Sequence, residues 1–338
     1  MKPTKIPPKL NPRYHKYGKK SYVHLMRKYR FNPTKEGPYF IDGKLEQMGR
    51  PLQTKPLAVT RTSSRLEMSI GTPAQTVQLG FDTGSADLWS RTFHNLVGST
   101  FKIKYADGLF ASGTVGTDNV SIDGLVVMNQ AVEIADKMST QFASGAGDGL
   151  LGLAFKKLNT VKPQPVNTPV VNMIEQADIS KSSELFTAKL GSWCDADEPD
   201  KGASFYTFGF IDQATVQASG EQTYYTPTTF RAGNKAIADT STTLALVDDI
   251  ICQAIYYAIP GATYDPQSQE YIYPTNTTVD QLPVVSFAVG GKQFVVQKED
   301  LDFAEAKPGY LYGGIQSRGD MDLDILGDTF LKGIYGCV

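Results

Sequence analysis

The stretch IADTSTTLALV, Ile237 to Val247, decides the fold, because GFDTGSADLWS, Gly80 to Ser90, repeats it. Each copy has an apolar lead-in, then Asp-Thr, a small residue, a hydroxyl residue and an apolar run. A single Asp-Thr-Gly is weak, since the same residues make an ordinary turn. These two stand 157 residues apart, and each is followed by an apolar-apolar-Gly triplet: Leu150-Leu151-Gly152 after Asp82, Ile325-Leu326-Gly327 after Asp239. A pattern of that reach, written twice, is what an internally duplicated, two-lobed chain shows. The copies disagree at one place: the first has Gly84 where the second has Ser241.

The 338 residues suffice for about two domains, and 41% hydrophobic with 20% charged residues is an ordinary globular balance. Alternating apolar runs such as TVQLGFD and TFKIKYADG, with turns at Gly71-Thr-Pro73, Asp107-Gly108 and Asp123-Gly124, predict a mostly β chain. Helices are predicted at SYVHLMRKYRF (Ser21–Phe31), at PVVNMIEQAD (Pro169–Asp178), and at VDDIICQAIYYAI (Val247–Ile259) with Ile250, Ile251, Ala254, Ile255 and Ala258 as its apolar positions. No run approaches the ~20 apolar residues of a membrane helix. The opening MKPTKIPPKL lacks the apolar core of a secretory signal.

The net charge of −2 conceals an asymmetry. Residues 1–55 carry 14 Lys+Arg against 3 Asp+Glu, a balance of +11, and residues 56–338 carry 19 against 32, a balance of −13. A basic arm suits nucleic acid, an anionic membrane, or an acidic protein surface. The acidic body of the same chain is its nearest attractive partner, which favours self-binding over nucleic acid or membrane.

Several chemistries lack their residues. Only His94 lies beyond residue 55, the other two histidines being His15 and His24, and no G-x-S-x-G elbow accompanies it. Zinc lacks ligands, and Cys194, Cys252 and Cys337 form no C-x-x-C. Gly147-Asp-Gly-Leu-Leu-Gly152 has neither the βαβ context nor the acidic partner of a dinucleotide site, and reads as a turn entering a strand. Asp320, Asp322 and Asp324 begin like a calcium loop, but Ile325 and Leu331 stand where Gly and Glu are needed, so a solvated edge is expected. No metal or cofactor is expected.

Carboxylates remain. Two of them a few Å apart cannot both ionise; one takes a proton from a shared water while the other, protonated, polarises a peptide carbonyl. Gly84 permits close backbone approach, the Thr83 and Thr240 hydroxyls can lock the lobes together, and Ser85 and Thr242 can donate to the outer carboxylate oxygens. Ser241 strains its turn if the position needs a positive φ; otherwise it adds bulk or a further donor beside Asp239.

Together, FDTGSADLW, YADG, DGLLGLAF, FYTFGFID, IADTSTTL, YGGIQS and DILGDTFLKGIY resemble a pepsin-like aspartic protease of the fungal secreted type, in the same order over about residues 57–335. The resemblance implies an all-β, bilobal fold with a cleft between the lobes, and an endopeptidase zymogen working at acid pH through Asp82 and Asp239. It implies protein or peptide substrates, a monomer and secretion. By motif position Tyr105 is the flap tyrosine and Trp89 its partner, with core packing the other reading for Trp89. Asp107 matches an acidic flap position that favours lysine before the scissile bond, or is an exposed turn residue. Residues 1–55 resemble the prosegment, with Lys28 and its neighbour Tyr29 the candidates to meet the catalytic carboxylates; an ordinary surface lysine is the alternative. Residues 56–188 and 226–338 are then the lobes and 189–225 their connection.

Three stretches are shorter than the resemblance implies: Trp89 to Tyr105, Tyr225 to Ile237, and the end LKGIYGCV, where a closing strand is expected to be missing. Thr275 and Leu311 lie about where a disulfide is implied. With Ser241, these departures raise a second reading, a pepsin-like fold that binds peptides without cleaving them.

Overall fold

A computed structural model of the chain describes residues 5–10, 16, 18–35, 40–41, 44–45, 64–91, 99–104, 110–144, 147–191, 203–220 and 234–337. The flap positions Tyr105 and Asp107, His94, Cys194 and the stretch between Tyr225 and Asn234 lie outside the described residues.

The first half builds one eight-stranded sheet. Its longest hairpin, Phe110–Ile122 with Leu125–Met138, reverses at Asp123 and Gly124, whose φ values of 47° and 84° fit the left-handed turn that matches strand twist. Alternation sends Val120, Ile122, Val127 and Val132 into a core with Met68, Ile70, Val77, Leu79, Phe81 and Leu151. The second half carries two four-stranded sheets and the hairpin Ser286–Val289 with Lys292–Val295. Its core gathers Ala245, Val247, Tyr256, Tyr273, Leu301, Ile315 and Phe330. Between the halves, Phe186–Lys189 pairs with Phe205–Phe208 on one side and Tyr335–Cys337 on the other, so the last described segment is itself a strand. Thr275 follows the strand Glu270–Pro274 and Leu311 lies within its neighbour Tyr310–Gly313, opposite Tyr273, with the Thr275 N–H donating to the Gly309 carbonyl at 3.0 Å.

The duplication is visible in the topology. Gly149–Gly152 runs parallel to Gln75–Asp82, with Gly152 opposite Asp82, and antiparallel to Leu88–Ser90. Asp324–Leu326 runs parallel to Ala236–Ala238 and antiparallel to Ala245–Val247. Each apolar triplet is therefore a strand threaded between the two arms of an Asp-Thr loop. Each triplet ends in glycine because the loop leaves no room: a Cβ at Gly152 would meet the Asp87 nitrogen at 2.5 Å, and one at Gly327 the Thr242 carbonyl at 2.4 Å.

The helices form near the expected places. Helix α1 spans Gly18–Tyr29 and ends at Arg30 in the left-handed region, φ 56°, with the Phe31 N–H returning to the Met26 carbonyl at 3.1 Å. Pro169–Glu175 begins on its proline, which lacks the N–H that a first turn leaves unpaired. Asp249–Tyr257 is capped by Asp248, but its buried face is Cys252, Ile255 and Tyr256, continued by Ile259; Ile250 is 77% exposed. The aliphatic count misassigned that face because Cys and Tyr carry it. Asp324 is also no solvated edge: it is buried and accepts from Arg318 at 2.8 Å.

Candidate active site

Asp82 ends the strand Gln75–Asp82, Asp239 follows the strand Ala236–Ala238, and their two loops meet where the lobes touch. The Thr240 N–H donates to Thr83 Oγ1 at 3.0 Å and the Thr83 N–H to Thr240 Oγ1 at 3.3 Å. Each hydroxyl also donates across the divide, Thr83 to the Ala238 carbonyl at 3.0 Å and Thr240 to the Phe81 carbonyl at 3.3 Å. Four reciprocal bonds between two loops fix their relative position.

Both carboxylates are buried, at 1% and 0% exposure. Asp82 accepts from the Gly84 N–H at 2.9 Å and the Ser85 hydroxyl at 2.6 Å. Asp239 accepts from the Ser241 N–H and the Ser241 hydroxyl, both at 2.8 Å, and from the Thr242 hydroxyl at 2.9 Å. A Cβ at Gly84 would lie 2.7 Å from Asp239 Oδ2, so the backbone that holds one carboxylate presses on the other. Only glycine fits there. Ser241 is not among the non-glycine residues with positive φ, so its backbone is ordinary and its hydroxyl is simply an added donor.

The basic arm reaches this pair. Tyr22, Leu25 and Met26 of α1, with Phe31, pack among Leu244, Leu246, Ile272, Phe303 and Ile325. The Tyr22 hydroxyl donates to the Ser317 carbonyl at 2.9 Å. That docking aims the end of the helix at Asp239: the Lys28 ammonium and the Tyr29 hydroxyl both donate to Asp239 Oδ2, and Lys28 also donates to the Ser241 hydroxyl and, at 3.0 Å, to Thr242. The arm is held elsewhere by Ile6 pairing with Tyr206, by Lys5 against Asp212 at 2.6 Å, and by the Asn32 N–H to Asp320 at 2.7 Å.

Burial alone would push the Asp239 carboxyl up, but the Lys28 ammonium, with the hydrogen bonds from Lys28, Tyr29 and Ser241, holds it well below the usual carboxylate range. Burial and the Asp239 charge push the Tyr29 phenol up, so it stays a donor. Beyond Gly327, burial pushes Asp328 up to about 7; Lys332 opposes this while Asp239 and Asp300 reinforce it.

A second buried carboxyl pair lies behind the Asp82 loop, and motif reading missed it. Asp87 and Glu133 are both fully buried. Asn159 donates to Glu133 at 3.0 Å, to Asp87 at 3.3 Å and to the Ala86 carbonyl at 3.1 Å; Thr160 closes on Asp87 with its N–H at 2.9 Å and its hydroxyl at 2.8 Å. Burial, then the Asp87 charge, pushes the Glu133 carboxyl well up, which favours its protonated form beside Asp87. The available signal was a lone charge inside the apolar run of QAVEIA.

Trp89 is 2% exposed and sits edge-on to Phe142 at 4.9 Å. Among the described residues no helix is long and apolar enough to cross a membrane, and no cluster of ligating side chains could hold a metal.

A bilobal β protein that presents one hydrogen-bonded carboxylate from each lobe, in interlocked loops, has the framework of a paired-aspartate hydrolase. The comparisons give the family. The profile described as eukaryotic aspartyl protease matches residues 65–94 and 90–338, and the chain belongs to that family. It is similar to endothiapepsin of Cryphonectria parasitica, 35% identical over 79% of this chain and 70% of the relative. It is also similar to aspergillopepsin-1 of Aspergillus oryzae, 34% identical over 77% of this chain and 72% of the relative. An aspartic proteinase from Irpex lacteus shares the fold, with a TM-score of 0.63 and 21% identity over 81% of this chain and 90% of that one.

Proposed function

We propose that the chain is the zymogen of a secreted acid endopeptidase, with Asp82 and Asp239 as its catalytic pair and residues 1–55 as its prosegment. Residues 56–188 and 226–338 are the lobes, joined by 189–225. The observation that carries this is the paired site itself: two buried carboxylates on interlocked loops, one of them engaged by Lys28 and Tyr29.

With the arm displaced, the pair holds one proton and a water. The ionised carboxylate takes a proton from the water as its oxygen attacks the peptide carbonyl carbon. The protonated carboxyl passes its proton to the carbonyl oxygen, giving a tetrahedral diol. Transfer of a proton to the amide nitrogen then lets the C–N bond break. Ser85 and Thr242 orient the outer oxygens throughout. Tyr105 is the proposed flap tyrosine with Trp89 its proposed hydrogen-bond partner, and Asp107 the proposed contact for a substrate lysine.

Peptide binding without cleavage is not favoured. Ser241 leaves the turn unstrained and adds a hydrogen bond to Asp239 without displacing it. The protein works as a monomer, and its basic arm is occupied by its own body rather than by nucleic acid or membrane.

The test is cleavage of a denatured protein at about pH 3–4. The wild-type chain is expected to cleave and to be inhibited by pepstatin. Asp82→Asn and Asp239→Asn should each lose at least about 1000-fold, because neither amide can exchange the proton that the step requires. Unimpaired cleavage by either variant would sink the proposal.

A further inference from the structure

We infer that Ser241 is a positioning residue that divides the roles within the pair: its hydroxyl keeps the negative charge on Asp239 and leaves the shared proton to Asp82. The inference rests on the acid endopeptidase reading and adds to it which carboxyl is base and which is acid.

The two Asp loops are otherwise matched. The Gly84 N–H on Asp82 corresponds to the Ser241 N–H on Asp239, and the Ser85 hydroxyl to the Thr242 hydroxyl. These bonds cancel when the two carboxylates are compared. What remains is the Ser241 hydroxyl, which donates to Asp239 Oδ1 at 2.8 Å and has no counterpart on Asp82. A hydrogen bond to the charged form of an acid favours that form, and in a buried site no solvent competes for the same lone pair. The first loop could not carry the same device, because a Cβ at Gly84 would strike Asp239.

The hydroxyl has a second contact that gives it a role before activation. It accepts from Lys28 while donating to Asp239, so one side chain bridges the ammonium and the carboxylate. Once the arm leaves, Lys28 and Tyr29 go with it. The Ser241 bond stays, because donor and acceptor are two residues apart on one loop. The asymmetry set up in the zymogen therefore persists in the free site.

The other ionisable groups facing Asp239 are Asp82 across the pair, Lys28 and Tyr29 from α1, Asp328 beyond Gly327, and Tyr206 from the strand Phe205–Phe208. Of these, Lys28 alone touches the Ser241 hydroxyl and it leaves with the arm, so in the free site a change in titration reports the hydroxyl.

The experiment compares the full chain with Ser241→Gly and Ser241→Ala, reading kcat and KM separately from about pH 2 to 7. Asp239 must be ionised to act as base, so activity rises on the acid side as it deprotonates. Loss of the donor raises that midpoint. We expect both variants to move the acid limb of kcat upward by about one pH unit, a tenfold change in proton affinity, with little change in KM. Alanine keeps the Cβ, so a shift in glycine alone would assign the effect to bulk and overturn the inference. Superimposable profiles would overturn it equally. Carboxyl 13C titration of the same three proteins reads the shift without turnover. A shift there in a chain that cleaves nothing would fault the endopeptidase reading, and no shift in an active chain would fault the role given to Ser241.

Discussion

Burial and the neighbouring Asp87 charge push the Glu133 carboxyl well up and favour its protonated form. This carboxyl and that of Asp87 share one site behind the Asp82 loop, with no cation among the described groups hydrogen-bonded to them. The folded protein binds this proton more tightly than the unfolded chain does. Its contribution is therefore complete below the ordinary carboxylate range, near pH 4, and is lost as pH rises toward the raised folded value. Glu133→Gln keeps a donor for Asp87 at every pH. We expect its unfolding midpoint on the alkaline side, followed by circular dichroism, to rise by about one pH unit, while stability at pH 4 changes little. Coincident curves would show that the pair does not set the alkaline limit. This residue was not legible in the motifs, since a glutamate in a strand is usually solvated and only burial on both faces makes it significant. Asp82 and Asp239 were legible as a repeated motif whose chemistry needs paired carboxylates, whereas Lys28 and Tyr29 were candidates only through the resemblance of residues 1–55 to a prosegment. What could not be read was the sign of the Ser241 effect, which turned on a backbone angle and on where its hydroxyl points.

Helix α1 does for the arm what the threaded strands do for the lobes: it converts a position in sequence into a position in space. Its sequence is only loosely periodic, yet Tyr22, Leu25 and Met26 are each 1% exposed against the second lobe. The strand residues that complete this face come from far along the chain, which is why the helix was predictable and its docking was not. The helix Asp249–Tyr257 failed in a complementary way, its buried face being chosen by the sheet beneath it rather than by its most aliphatic side chains. Docking of α1 is apolar, so it should persist when carboxylates titrate. Leu25→Ala should weaken it by about 2–5 kcal/mol through lost burial and the cavity left behind. Conversion of that variant should begin at higher pH than in the wild-type chain, as judged by the loss of full-length protein on a gel. An unchanged conversion pH would mean that α1 docking does not limit release.

The whole molecule is two copies of one arrangement plus a basic segment laid over their junction. The duplicated motif made the lobes readable, because each glycine-terminated triplet has to thread an Asp-Thr loop to find room. Residues 1–55 carry +11 and residues 56–338 carry −13; the described part of the arm lies against the body and closes on the pair through Lys28. Acid removes the body's charge at its ordinary carboxylates first, near pH 4. The Lys28–Asp239 pair outlasts them, because Asp239 is held well below that range. Its contribution is full above the ordinary carboxylate values and fades as pH falls toward the depressed one. Release is therefore expected to begin at the periphery of the arm and to reach the site last.

The most direct measurement is a jump of the intact chain from pH 7 to about pH 3.5, following intact mass and cleavage of an added peptide in the same sample. We expect no cleavage at pH 7. At acid pH we expect loss of the arm at a cut near residues 50–60, with pepstatin-sensitive activity rising in step. Activity from the intact chain at pH 7 would contradict the account, and so would an intact, inert chain at the lower pH.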